Sequence, residues 1–211
     1  MTNTELDDIE AALRRGAAVD VDTQADAATI SAIAAADRQG LIDVAVATVD
    51  SPVGDLLVAM TPQGLVRLAF DPAHVLDELA ERISPRVVEA PARLDPVRRE
   101  LDEYFAGRRR AFDFAVDWSL TGGFRRRVLE ATARIPSGHV TTYGALAAEV
   151  GKPSAARAVG NAVGSNPVAI VVPCHRVVPA GGGVGNYGGG PERKEFLLEL
   201  EHAETSDRRR G

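Results

Sequence analysis

Apolar positions along the chain change their spacing twice. In residues 1–40, Leu6, Ile9 and Leu13 recur at helical intervals and Gly16 reads as a C-terminal stop. A second, alanine-rich stretch, ADAATISAIAAADRQG, places Ile30 and Ile33 on one face and ends at Gly40. These 40 residues are predicted as two short helices, a helical or mobile acidic extension. From residue 42 the period shortens. IDVAVATV alternates, DSPVG signals a turn, and DLLVAM, TPQG and LVRLAF repeat the strand–turn–strand sequence, predicting an antiparallel meander. Two helical patterns follow, AHVLDELAERI and DPVRRELDEYFAG. Then FDFAVDW (112–118) alternates with Phe112, Phe114, Val116 and Trp118 on one side, as in a strand. Residues 41–118 thus form a small α+β domain, and SLTGG (119–123) is the predicted link to the rest.

Beyond the link the period is helical again. FRRRVLEATARI is amphipathic and stops at PSGH; TTYGALAAEVG is a short helix ending at Gly151; KPSAARAVGNAVG restarts a helix with Ser154 as its N-cap. Two short helices joined by a glycine-bearing turn are the pattern of a helix-turn-helix. In the second, Ala155, Ala156, Ala158 and Gly160 leave a face almost free of side chains, with Arg157 as the long projection. That face suits either close packing inside the protein or close approach to another surface.

Composition narrows the class. With 45% hydrophobic and 26% charged residues the chain is of ordinary globular type, and no stretch nears the roughly 20 apolar residues of a membrane span. The start, MTNTELDDIE, is acidic and unlike a secretory signal. The net charge of −6 is uneven, because residues 1–40 hold eight acids against three bases. Residues 124–167 carry Arg125, Arg126, Arg127, Arg134, Lys152 and Arg157 against Glu130 and Glu149, a local excess compatible with phosphate contacts. One cysteine excludes an internal disulfide and a multi-cysteine zinc site, and implies a reducing cytoplasm.

That cysteine, Cys174, lies in VVPCHRVVPA. VAIVV (168–172) reads as a buried strand, and Pro173 ends its pairing, so Cys174 and His175 are expected at a strand end. Lone cysteines are usually buried fillers. Here an imidazole follows directly, Arg176 adds positive charge, and a glycine-rich loop, AGGGVGNYGGG, comes next. A thiol with an ordinary pKa of about 8.5 needs a base, and the base needs an orienting group. His175 can be the base, and Glu195, Glu199 or Glu201 of the last helical pattern can hold it.

PCHRVV, preceded by RAVGNAVGSNPVAIVV and followed by GNYGGGPERKEFLLELE, resembles the O6-alkylguanine-DNA alkyltransferases, the methylated-DNA–protein-cysteine methyltransferases. The likeness runs from about residue 41 to 201 and includes SPVGDLLVAMTPQGLVRLAF. It implies an α+β fold: an RNase H-like α+β domain (41–118), then a mainly helical DNA-binding and alkyl-acceptor domain (124–203) with a winged-helix-type helix-turn-helix, and a polar tail (204–211). The activity implied is direct-reversal repair. The alkyl group of a flipped O6-alkylguanine passes irreversibly to the protein, once per molecule. By the same resemblance Cys174 is the acceptor, His175 deprotonates it through a water, and Glu201 holds His175. Asn166 braces the active-site turn, Tyr143 protonates the departing guanine, and Arg157 fills the space the base leaves. Ser154, Ala155 and Ala156 lie on the DNA-binding helix, while Val177 and Tyr187 belong to the guanine pocket. The partner implied is double-stranded DNA met through the minor groove, by a monomer without metal or organic cofactor and without a membrane. One position departs: Gly188 stands where the family often has a serine that helps recognise guanine.

Two other classes compete. A lesion-binding sensor without transfer would share the DNA-binding half but leave the cysteine idle. A cysteine hydrolase would use Cys174, His175 and a carboxylate but turn over. A redox switch lacks a second cysteine, and His74, His139 and His202 read as surface or structural residues.

Overall fold

The computed structural model describes residues 21–202; the predicted helix around Leu6, Ile9 and Leu13 and the tail 204–211 lie outside the described residues. The chain divides into two compact units, residues 1–41 and 42–211. In the first, α1 (Val21–Arg38) ends at Gly40, whose φ of 67° suits glycine. The Gly40 N–H donates to Asp37 and the Leu41 N–H to Ala36, the paired bonds of a Schellman stop.

In the second unit β1 (Val44–Val49), β2 (Leu56–Thr61) and β3 (Gly64–Ala69) form the expected antiparallel meander. After α2 (Val75–Arg82), β4 (Val87–Glu89) joins parallel to β1, giving the order β3-β2-β1-β4. The turn into β3 needs Gly64: its φ is 140°, and a Cβ there would overlap the Ala115 carbonyl. Helix α3 (Pro91–Phe105) starts a turn before the predicted DPVRREL segment, because Leu94 extends the buried face of Val97, Leu101 and Tyr104.

Two predicted strands are not strands. Across 112–118 the alternation is real as packing, with Phe112, Phe114, Val116 and Trp118 against the core. Pairing is confined to a bridge between Leu65 and Val116, since Asp117 turns inward to accept from the Thr61 (2.6 Å) and Ser119 hydroxyls. VAIVV is buried as expected, but only Val168 bridges to β3, and the chain then closes a turn in which the Val172 N–H donates to Val168. Ile170 takes φ 69°, a costly angle for a β-branched residue.

Helix α4 (Gly123–Ala133), α5 (Tyr143–Glu149) and α6 (Ala156–Gly164) pack around Val128, Leu146, Val159 and Val163, and this cluster includes Cys174. β5 (Thr141–Thr142) pairs in parallel with β6 (Val177–Val178), and α7 (Pro191–Leu200) closes the unit. A larger cluster joins Leu65 and Leu68 of the sheet and Leu101 of α3 to Leu129, Ile170 and Leu197, so the core continues across residues 119–123. Leu120, in that segment, is buried on the opposite face of the sheet with Val75 and Leu79. Among the described residues no helix is long and apolar enough to cross a membrane.

Candidate active site

Cys174 opens a 3-10 turn, Cys174–Arg176, that leads into β6. The expected strand end is therefore a turn, and Asn166 is what shapes it. Its Oδ1 accepts from the Val168 N–H (3.1 Å), and its Nδ2 donates to the Val172 carbonyl (2.8 Å) and to Cys174 Sγ (3.1 Å). An amide side chain that mimics backbone partners in this way competes with a strand ladder. Cys174 is buried, and burial pushes its thiol pKa up; the Asn166 and Tyr187 side chains oppose that rise. Tyr187, from the glycine-rich loop, lines two clefts together with Cys174, and its hydroxyl is buried without a hydrogen-bond partner among the described residues.

The following residue belongs to a buried polar cluster. His175 is fully buried, and its Nε2 lies 3.0 Å from Glu201 Oε1. Glu201 is the C-cap of α7, so the last helix returns this carboxylate to the histidine, rather than Glu195 or Glu199. Arg176 grips the same carboxylate with Nε on Oε2 (2.8 Å) and Nη2 on Oε1 (2.7 Å), while its Nη1 donates to the Ile135 carbonyl. Burial by itself would raise the Glu201 pKa, but the bonds from His175 and Arg176 hold it well below the carboxylate range. Burial lowers the His175 pKa and keeps the imidazole neutral, against the pull of Glu201. His175 Nδ1 is buried without a hydrogen-bond partner among the described residues. With Nε2 committed to Glu201, that nitrogen is the free acceptor.

The other expected residues surround the thiol. β5 pairs with β6, which brings TTYG beside the PCHRVV turn. Tyr143, first residue of α5, follows an N-cap in which Thr142 Oγ1 accepts from the Ala145 N–H (3.1 Å). Burial and the nearby Cys174 raise its phenol pKa, so it stays protonated. A cleft of about 620 Å³ is lined by Tyr143, Ala156, Arg157, Gly160, Cys174 and Tyr187. A second, of about 480 Å³, reaches Cys174 past Phe70, Asn166, Gly188, Gly189 and Arg193. Val177 lines neither; it is fully buried, its N–H donating to Cys174 and its carbonyl accepting from Lys194 Nζ (2.8 Å).

Helix α6 differs from expectation at its start. Ser154 is exposed and sits one residue before the cap position, Ala155, because a turn from Lys152 to Ala155 precedes the helix. Arg157 and Ala158 are exposed, Ala155, Ala156 and Gly160 half-buried, and Val159 buried. The bare face thus points partly outward, with Gly160 beside the Tyr143 ring. Of the basic residues nearby, Arg126 pairs with Glu130 and Arg134 with Glu149, whereas Arg157 has no ion-pair partner among the described residues.

Sequence reading passed over two groups. Lys194 is fully buried on α7, and burial brings its pKa down to about 8. Tyr104 on α3 donates its hydroxyl to Glu201 Oε1 at 2.7 Å. The hint for Tyr104 was a phenol on an apolar helix face, where a buried hydroxyl requires a partner. For Lys194 it was a cation in line with Leu197 and Leu198. No group of three or more His, Cys, Asp or Glu side chains that could hold a metal occurs among the described residues.

Residues 44–118 match the 6-O-methylguanine DNA methyltransferase ribonuclease-like domain, and residues 123–203 match the DNA-binding domain of the same family. The methylated-DNA–protein-cysteine methyltransferase of Mycolicibacterium paratuberculosis is 44% identical over 155 residues, covering 73% of this chain and 90% of that protein. The inducible enzyme of that name from Bacillus subtilis is 38% identical over 154 residues, covering 71% and 86%. Mycobacterium tuberculosis OGT, in its crystal structure in complex with DNA, superposes with a TM-score of 0.65 at 41% identity, covering 75% of this chain and 92% of that one.

Proposed function

The chain belongs to the 6-O-methylguanine DNA methyltransferase family, and on that premise we propose that it reverses O6-alkylguanine damage by taking the alkyl group onto Cys174, once per molecule. One observation carries this reading. A buried thiol, hydrogen-bonded by Asn166, lines a cleft with Tyr143 and Arg157 and is followed by a histidine that a carboxylate orients.

The division of labour follows from the chemistry. The target carbon lies inside a duplex, so the base must leave the stack, at a cost of a few kcal/mol. Helix α6 suits that task. Its small residues allow backbone approach to a minor groove without base readout, and Arg157 is free to occupy the vacated position. Residues 41–118 are the RNase H-like domain and 124–203 the DNA-binding and acceptor domain; the protein acts as a monomer in the cytoplasm.

Burial disfavours the thiolate, so Cys174 reacts only with help. A water between Sγ and the unpaired Nδ1 passes the thiol proton to His175, and Glu201 stabilises the imidazolium that forms. The thiolate attacks the alkyl carbon in line with the C–O6 bond. The S–C bond forms, the C–O6 bond breaks with its electron pair moving to guanine, and Tyr143 donates a proton to the ring. Tyr143 regains its proton from the histidine side through water, so the thiol proton ends, in sum, on guanine. The Tyr187 loop, which lines both clefts with Cys174, holds the base edge, and Val177, fully buried with both backbone groups bonded internally, does not meet it. The product is a thioether, with no carbonyl carbon for water to attack, so the protein is consumed. The scheme uses no metal or organic cofactor.

Intact-mass analysis after mixing with a duplex bearing one O6-methylguanine tests this. One methyl on Cys174, saturating at one per protein and absent from Cys174→Ala, is expected. Lesion binding without an adduct would make the chain a sensor, and continued turnover would make it a hydrolase.

A further inference from the structure

Glu201 receives more donors than the orientation of a histidine requires. Oε1 takes His175 Nε2 at 3.0 Å, Arg176 Nη2 at 2.7 Å and the Tyr104 hydroxyl at 2.7 Å, and Oε2 takes Arg176 Nε at 2.8 Å. Three of these bonds come from the acceptor half of the chain. The fourth comes from α3, within the residues that match the ribonuclease-like domain.

We propose that Tyr104 is a positioning residue for alkyl transfer: its hydroxyl holds the Glu201 carboxylate in register with His175 and shares the carboxylate charge, so the α+β half helps set the strength of the base that serves Cys174. This rests on the reading of His175 as that base.

The ring and the hydroxyl of Tyr104 do separate work. The ring, 2% exposed, packs against Phe105 and Phe112 at centroid distances of 5.3 and 5.5 Å, which a phenylalanine would reproduce. Only the hydroxyl meets the polar cluster. Burial and the adjacent carboxylate push its pKa far up, so it is a permanent donor. A carboxylate that accepts an additional hydrogen bond is a weaker partner for an imidazolium, which favours neutral His175. Removing the hydroxyl leaves Glu201 pulling harder on His175, and the imidazole holds a proton to higher pH. The other charged or titratable groups around the pair are Arg176 and Cys174 on the same turn, Lys194 from α7 and Tyr187 from the loop. Arg109, Arg110 and His202 line a small cavity beside Tyr104 and Glu201, where Arg109 is tied to Glu103 and Asp113. Tyr104→Phe alters none of their bonds.

The test is the pH dependence of single-turnover methyl transfer from an O6-methylguanine duplex, measured by rapid quench for the full chain. For Tyr104→Phe, DNA affinity is unchanged, the acid limb moves up by about half a pH unit and the rate below it falls about three-fold. Placing 3-fluorotyrosine at 104, a stronger donor of the same shape, moves the limb the other way; it decides alone should Tyr104→Phe not fold. Unchanged profiles in both proteins, or shifts of the same sign, overturn the proposal and leave Tyr104 a packing residue. Failure of the underlying reading is visible separately: the wild-type protein would then transfer nothing, or would transfer equally well as His175→Gln.

Discussion

Asn166→Ala should damage both stability and chemistry, by amounts that can be worked from its bonds. The side chain makes four hydrogen bonds, of which the three shortest go to Val172, to Cys174 Sγ and from Val168, with a longer one to the Val168 carbonyl at 3.3 Å. Each is worth about 1 kcal/mol net, and the fully buried Val168 N–H left without an acceptor costs about 1–3 kcal/mol more. Relaxation of the strained turn at Ile170 returns part of this, so the expected loss is about 2–4 kcal/mol. For a chain of this size that lowers Tm by roughly 5–15 °C. The thiolate loses a donor as well. One charge-assisted bond to it corresponds to about one pKa unit, hence transfer slower by about ten-fold at neutral pH, with the rate recovering as pH rises. Urea denaturation and rapid-quench transfer across pH measure the two effects. Asn166→Asp helps separate them, since it keeps the acceptor for Val168 but sets a carboxylate oxygen against the Val172 carbonyl and the sulfur: at most part of the stability should return, and transfer should not. A loss under about 1 kcal/mol in Asn166→Ala, or an unshifted pH–rate profile, would refute the reasoning.

Three further outcomes are expected. Arg157→Ala, at an exposed position, should change unfolding free energy by less than about 0.5 kcal/mol while slowing transfer from duplex DNA far more than reaction with free O6-methylguanine, a comparison made by rapid quench. Gly188→Ser meets nothing closer than the Gly164 carbonyl at 4.0 Å and should leave Tm unchanged, whereas Gly189→Ala would place a Cβ 2.8 Å from the Phe70 ring and should lower Tm by several degrees in calorimetry; equal effects would show that the loop is not packed as described. Stability should fall with acid in two stages. His175 has a folded pKa below the ordinary 6.5, so below about 6.5 the unfolded chain binds a proton that the folded one does not. Glu201 is likewise depressed below 4.5, and its contribution is lost as pH drops from there towards its folded pKa. Urea midpoints between pH 3.5 and 8 check the slope, and the upper stage should vanish in His175→Gln.

Much of this protein could be read before any coordinates. The meander appears because IDVAVATV, DLLVAM and LVRLAF alternate between turn residues, and the helices because their apolar faces repeat at 3.6 residues; both are local patterns, legible one segment at a time. Cys174 and His175 stood out because adjacency in sequence is itself a chemical fact, and the motif around them carried the family. What alternation could not reveal was whether a segment finds a ladder. FDFAVDW is half-buried without pairing beyond one bridge, and VAIVV closes a turn because the Asn166 side chain takes the bonds a neighbouring strand would have supplied. Ser154 missed its capping place by one residue for a similar reason, a preceding turn that local propensity does not register. Residue spacing alone left the carboxylate beside His175 open among three glutamates; the family resemblance pointed to Glu201, and the packing of α7 brings it within 3.0 Å. Tyr104, 97 residues distant from Glu201, and the buried Lys194 were invisible as site residues, since nothing in a helix's own sequence says which long-range partner its buried polar atom will meet. The sequence by itself therefore determined most of the elements that form and singled out the Cys174 sulfur. The tertiary structure decided which groups surround that atom, because burial and hydrogen-bond partners belong to the packed chain as a whole.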